Sequence, residues 1–146
     1  MTPVRVLVVD DHVLFRRGLV EVLAEEPDIE IVGEAVDGND AIRKARELAP
    51  DVVFMDLSMP GVGGIEATAY IRQTWPQIKV VILTVSEELD LLFKALAMGA
   101  NGYVVKTASP SEIIESMRQV RQDWMVLSPG VATKYLPNHT TWFIFQ

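Results

Sequence analysis

Short apolar runs alternate with amphipathic stretches along this chain. Val4–Val9 is apolar except for Arg5, which suits a strand buried on both faces. Leu14, Phe15, Gly18, Leu19, Val22 and Leu23 then share one helical face, with Arg16, Arg17, Glu21 and Glu25 off it. Pro27 and Asp28 end that pattern. Ile29–Ala35 reads as a second strand, nearer an edge because Glu30 and Glu34 interrupt it. Asp37-Gly38 signals a turn. Ala41, Ile42, Ala45, Leu48 and Ala49 form a second helical stripe that Pro50 closes.

The alternation continues to about residue 122. Residues 52–55 predict a third strand. A glycine-rich loop with Pro60-Gly61 and Gly63-Gly64 leads to a helix over 65–74, closed by Pro76. Residues 80–83 predict a fourth strand. Ser86 is placed to cap the next helix, with Glu87 and Glu88 in its first turn and Gly99 as its stop. Residues 89–98 are apolar nearly all round, so deep packing competes with a partner-binding face. Gly102–Val105 is a fifth strand. Ser109-Pro110-Ser111-Glu112 is a capping box with proline at the first helical position, and Ile113, Ile114, Met117 and Val120 form the stripe behind it. Five such units predict an α/β fold with a parallel sheet and helices on both faces. Ligand sites in such sheets lie beyond the carboxyl ends of the strands.

Composition narrows the function. The 146 residues carry a net charge of −7, which disfavours direct binding of nucleic acid or an anionic membrane surface. Hydrophobic residues make up 49%, enough for a real core, and cysteine is absent, which removes disulfides and thiolate metal sites and fits a cytoplasmic setting. No apolar stretch reaches the roughly 18 residues of a membrane span, and Met1-Thr2-Pro3 lacks the shape of a signal peptide.

The chemistry gathers at strand ends. Asp10 and Asp11 follow the first run, Asp56 the third, Thr84 the fourth and Lys106 the fifth. Three carboxylates at one sheet edge are unstable alone, and a hard oxygen-rich site suits Mg²⁺. Asp56 can also act as a nucleophile that forms an acyl phosphate. Lys106 would then pair with a phosphoryl oxygen and the Thr84 hydroxyl would bond another. His12 reads as the exposed start of the first helix, and the loop after Asp56 lacks the lysine of a nucleotide-binding P-loop.

Four stretches in order, Val8-Val9-Asp10-Asp11, Phe54-Met55-Asp56-Leu57-Ser58-Met59-Pro60-Gly61, Leu83-Thr84 and Gly99-Ala100-Asn101-Gly102-Tyr103-Val104-Val105-Lys106, give the chain a resemblance to a bacterial response-regulator receiver domain. The match covers about the first 122 residues. It implies a flavodoxin-like (βα)5 fold, strand order 2-1-3-4-5, phosphorylated on Asp56 by a sensor histidine kinase. It implies Mg²⁺ bound directly by Asp11, Asp56 and the Ser58 carbonyl, with Asp10 acting through water. Thr84 and Lys106 would contact the phosphoryl group, and Tyr103 would turn inward as Thr84 moves. The output would be altered dimerisation or partner binding by a switch that turns over no external substrate.

The second half resembles the subfamily whose receivers precede a LuxR-type helix-turn-helix, which implies transcription regulation by a full-length form. Residues 123–146 read as a linker-like tail in which Leu127-Ser128-Pro129-Gly130-Val131-Ala132 resembles the start of that subfamily's interdomain linker, with no DNA-binding domain expected after it. Two positions depart from the common receiver pattern. Thr107 stands where many receivers have a cis proline, and Val85 where many have Ala or Gly, which predicts slow loss of phosphate. The apolar tail Trp142-Phe143-Ile144-Phe145 has no counterpart in the motif. A phosphatase of the haloacid-dehalogenase type would need a second aspartate two residues after its nucleophile, where Ser58 follows Asp56. A flavin- or nucleotide-binding module and a docking-only pseudo-receiver are the remaining alternatives.

Overall fold

The computed structural model of the protein describes residues 2–59, 62–85 and 88–127. Eleven elements alternate along them: β1 (Val4–Val9), α1 (Val13–Ala24), β2 (Ile29–Ala35), α2 (Gly38–Leu48), β3 (Val52–Asp56), α3 (Gly64–Thr74), β4 (Lys79–Thr84), α4 (Leu89–Ala97), β5 (Gly102–Val105), α5 (Pro110–Arg121) and β6 (Val126–Leu127). The strands form one parallel sheet in the order β2-β1-β3-β4-β5-β6.

The two-residue period of the strands sorts their side chains into two cores. Leu7, Val9, Val53, Met55, Val80, Ile82 and Tyr103 meet α2, α3 and α4 through Ala41, Ala45, Ala67, Ile71, Leu92 and Ala95. Val4, Val6, Val8, Val52, Phe54, Val81, Leu83 and Val104 meet α1 and α5 through Leu19, Leu23, Ile113, Met117 and Val120. The runs look uniformly apolar because both faces of each strand are covered. β2 lies at an edge, as Glu30 and Glu34 suggest.

The expected five strands are six. Two residues carry no readable periodicity, and the sequence places Val126 and Leu127 in the linker-like tail. The parallel register Gly102↔Val126 and Tyr103↔Leu127 gives β5 a partner on its outer side. Val126 joins one core and Leu127 the other. That cover explains why Tyr103 is wholly buried.

Helix ends follow local chemistry. The Ser109 side chain accepts from the Glu112 N–H, as the capping box predicts. Asp37, read only as a turn residue, caps α2 by accepting from the Asp40 N–H at 2.8 Å. Gly99 ends α4 at φ +102°, a conformation suited to glycine. Glu88 stands at the α4 N-cap position; the predicted cap Ser86, with Glu87, lies outside the described residues. So do Pro60-Gly61, residues 128–132 of the expected linker and the Trp142–Phe145 segment. Only one face of α4 is deeply packed: Leu92 and Ala95 are buried, whereas Leu89 and Phe93 are exposed, as is Met98 just past its end. Among the described residues no helix is long and apolar enough to cross a membrane.

Candidate functional site

The carboxyl edge of the sheet assembles the predicted residues. Asp10 and Asp11 follow β1, Asp56 ends β3, Thr84 ends β4 and Lys106 follows β5. Asp10, Asp56 and Thr84 are buried, and Asp11 is exposed. One carboxylate oxygen from each acid lies within 4.8 Å of the other two.

Lys106 reaches across this cluster. Its Nζ is 2.7 Å from Asp10 Oδ2 and 3.3 Å from Asp56 Oδ1. The same ammonium lies 4.6 Å from the centre of the Phe15 ring, a cation–π contact from the first turn of α1. The backbone orients the acids: His12 N–H donates to Asp10 Oδ1 at 2.8 Å, and Ser58 N–H to Asp56 Oδ1 at 3.3 Å. Lys106 N–H donates to the Thr84 carbonyl at 2.8 Å, so the Lys106 turn is tied to the end of β4. The Lys106–Thr107 peptide is trans. Val85, next to Thr84, is exposed.

Lys106 thus pairs with two of the three clustered carboxylates. Burial, and next the charge of Asp10, push the Asp56 carboxyl up from its ordinary value, with Lys106 opposing them. Excess negative charge, partial burial and an all-oxygen donor set fit a hard divalent cation. Gly64 keeps α3 close to this edge. A Cβ there would fall 2.1 Å from the Asp56 carbonyl oxygen, which only glycine avoids.

All the predicted site residues lie at or beside this edge except Tyr103, which sits within β5 and is packed in the core. His12 is exposed and begins α1, as expected. Two contributors escaped the sequence reading. The helical pattern places Phe15 on a core stripe and Arg16 off that face. Arg16 donates from Nη1 to the Asp10 carbonyl at 2.7 Å and from Nε to Glu34 Oε1 at 2.9 Å. Nothing in the α1 pattern signals that bond, because Glu34 comes from a different element.

A parallel α/β sheet with acids, a threonine and a lysine at its carboxyl edge defines the response-regulator receiver class, and the chain belongs to that family: the response regulator receiver domain model matches residues 6–118. Among its relatives are response regulator GacA of Pseudomonas viridiflava, 45% identical over 88% of this chain and 60% of that protein, and response regulator protein VraR of Staphylococcus epidermidis, 44% identical over 90% and 63%. The chain therefore spans about three fifths of these relatives' length. A LuxR-family two-component response regulator from Aurantimonas sp. SI85-9A1 superposes with TM-score 0.89 at 35% identity, over 94% of this chain and 99% of that one. The signal receiver domain of the putative response regulator NarL from Mycobacterium tuberculosis gives 0.81 at 33% identity, over 84% and 98%. The family match sets aside the phosphatase and nucleotide-binding alternatives.

Proposed function

We propose that this receiver accepts a phosphoryl group on Asp56 from a phosphohistidine of a sensor histidine kinase, with Mg²⁺ as its cofactor. The observation that carries this reading is Lys106 Nζ placed between Asp10 and Asp56 within a cluster of three acids. Asp10, Asp11, Asp56 and the Ser58 carbonyl are the residues that would hold the ion, Asp10 through water. When bound, Mg²⁺ supplies charge neutralisation for the acids and the incoming phosphoryl oxygens.

The chain's own residues account for the rest. An ionised Asp56 oxygen attacks phosphorus; the P–O bond forms as the donor's P–N bond breaks. The leaving imidazole nitrogen keeps the electron pair and takes a proton from solvent. Lys106 moves from pairing carboxylates to pairing a phosphoryl oxygen, and the Thr84 hydroxyl bonds another. The new group adds charge and acceptor oxygens. Thr84 and Lys106 bind it better in one conformation than in the other, which shifts the equilibrium between them. Thr84 passes the change to Tyr103 and to the exposed face of α4. The expected output is homodimerisation or partner binding by a receiver unit over 1–122. Residues 123–146 would join it to an output region that regulates transcription in a full-length form. The exposed Val85 beside Thr84 would slow loss of the phosphoryl group to water, and Val85→Ala should shorten its lifetime.

Intact-mass spectrometry with acetyl phosphate and Mg²⁺ tests the acceptor. The wild type should gain the mass of one phosphoryl group and Asp56→Asn none. Equal incorporation by Asp56→Asn would overturn the assignment.

A further inference from the structure

We infer that Arg16 is a positioning residue for the cation site: it sets the Asp10–Asp11 peptide, and through it the aim of Asp11. The inference rests on the reading of the carboxyl edge as a divalent-cation site. Asp11 is exposed and stands in the corner between β1 and α1, so the backbone of that corner sets where its side chain departs. The start of that corner is fixed by the Asp10 N–H, which donates to the Ala35 carbonyl at 3.0 Å. The Asp10 carboxylate accepts from His12 N–H at 2.8 Å. The carbonyl of Asp10 belongs to the peptide that carries the Asp11 nitrogen. Arg16 holds that carbonyl at 2.7 Å.

Arg16 is itself held. Its Nε donates to Glu34 Oε1 at 2.9 Å, and its side chain is only 12% exposed. A planar guanidinium presents Nη1 and Nε to the two acceptors in one fixed fork, whereas a lysine ammonium is a single point charge on a flexible stem and does not fix their relative geometry. β2 thereby braces the metal-binding corner through Glu34, although it supplies no ligand of its own. Outer partners of this kind restrict a ligand's orientation and so contribute to metal affinity. Arg17 is an internal control. It also pairs with the Glu34 carboxylate and carries the same charge, but among the described residues it makes no bond to the Asp10 carbonyl.

Binding of Mn²⁺ alone, followed by the loss of its free-ion electron paramagnetic resonance signal, tests the inference without phosphorylation. Arg16→Ala should weaken binding by about tenfold, the low end for loss of an outer partner. Arg17→Ala should bind as the wild type, and Asp11→Asn should weaken binding more than any of them. Arg16→Lys keeps the charge and should still bind about threefold more weakly, a part of the tenfold loss. It decides the matter should Arg16→Ala fail to fold. Wild-type affinity in a folded Arg16→Ala, or in Arg16→Lys where the alanine variant does not fold, together with weakened Asp11→Asn, overturns the role of Arg16. So does an equal loss in Arg17→Ala, since removal of a nearby charge would then suffice. Wild-type affinity in Asp11→Asn instead overturns the cation-site reading itself.

Discussion

The two edges of the sheet treat charge in opposite ways. At the amino edge, charged groups have fixed partners. Arg118 bonds both oxygens of Asp28 and one of Glu26 at 2.8 to 3.0 Å, and Arg72 binds the carbonyls of Gly99 and Ile78. Arg5 holds the Ala49 carbonyl at 2.7 Å. At the carboxyl edge, three acids cluster and Lys106 pairs with two of them, Asp10 and Asp56. The consequence shows in one residue type. Hydrogen bonding from Arg118 holds the Asp28 carboxyl below its ordinary range, whereas burial and the Asp10 charge push Asp56 above it. One edge uses charge to fasten the fold, and the other leaves it unbalanced.

The largest expected effect comes from pressing on the crowded carboxyl edge. Gly64→Ala puts a methyl group against the Asp56 backbone, and chemical denaturation should report about 3 kcal/mol of lost stability. A loss below about 1 kcal/mol would mean that this edge has more slack than its packing implies. Next, Arg118→Ala removes the fastening at the opposite edge. It should lower stability by about 1 kcal/mol at neutral pH, since the group is a third exposed and solvent screens the pairs.

The pH dependence of the same variant sharpens the contrast. A carboxyl whose folded pKa lies below its unfolded value of about 3.9 contributes stability that is complete above that value. The contribution is lost as pH falls through the folded pKa. Wild-type stability should therefore drop more steeply below about pH 4 than that of Arg118→Ala. Parallel curves would show that Asp28 is not the group that titrates with folding. The smallest effect is expected of Asp123→Asn. Lys79–Asp123 is an ion pair at 2.6 Å whose carboxylate is largely exposed, and its loss should not shift the denaturation midpoint measurably.

Much of this contrast was legible in the sequence. Doubly covered strands are uniform apolar runs, and a charged residue at the end of such a run has to leave the sheet, which located Asp10, Asp56 and Lys106. The parts that escaped depend on register between distant elements. Arg16 gains its role from Glu34, 18 residues away on β2. Phe15 fits a core stripe equally well whether or not an ammonium lies over its ring. Tyr103 pairs in register with Leu127 of a strand that no sequence pattern announces, and the two share one core. A two-residue strand is specified by the edge it meets rather than by any pattern of its own.

Unbalanced charge at the carboxyl edge is expected to cost stability that a bound divalent cation would restore. Because the Asp56 pKa is raised in the folded state, stability attributable to that group falls as pH rises from about 3.9 through the folded value. At neutral pH the cost is therefore present. Thermal unfolding of wild type and Asp56→Asn, each with chelator and with saturating Mg²⁺, measures the claim directly. The variant should melt above the wild type in chelator. Mg²⁺ at a hundred times its dissociation constant should stabilise the wild type by about 2.7 kcal/mol and the variant much less. A wild type that melts above Asp56→Asn in chelator, or that gains no more from Mg²⁺ than the variant does, would contradict the account.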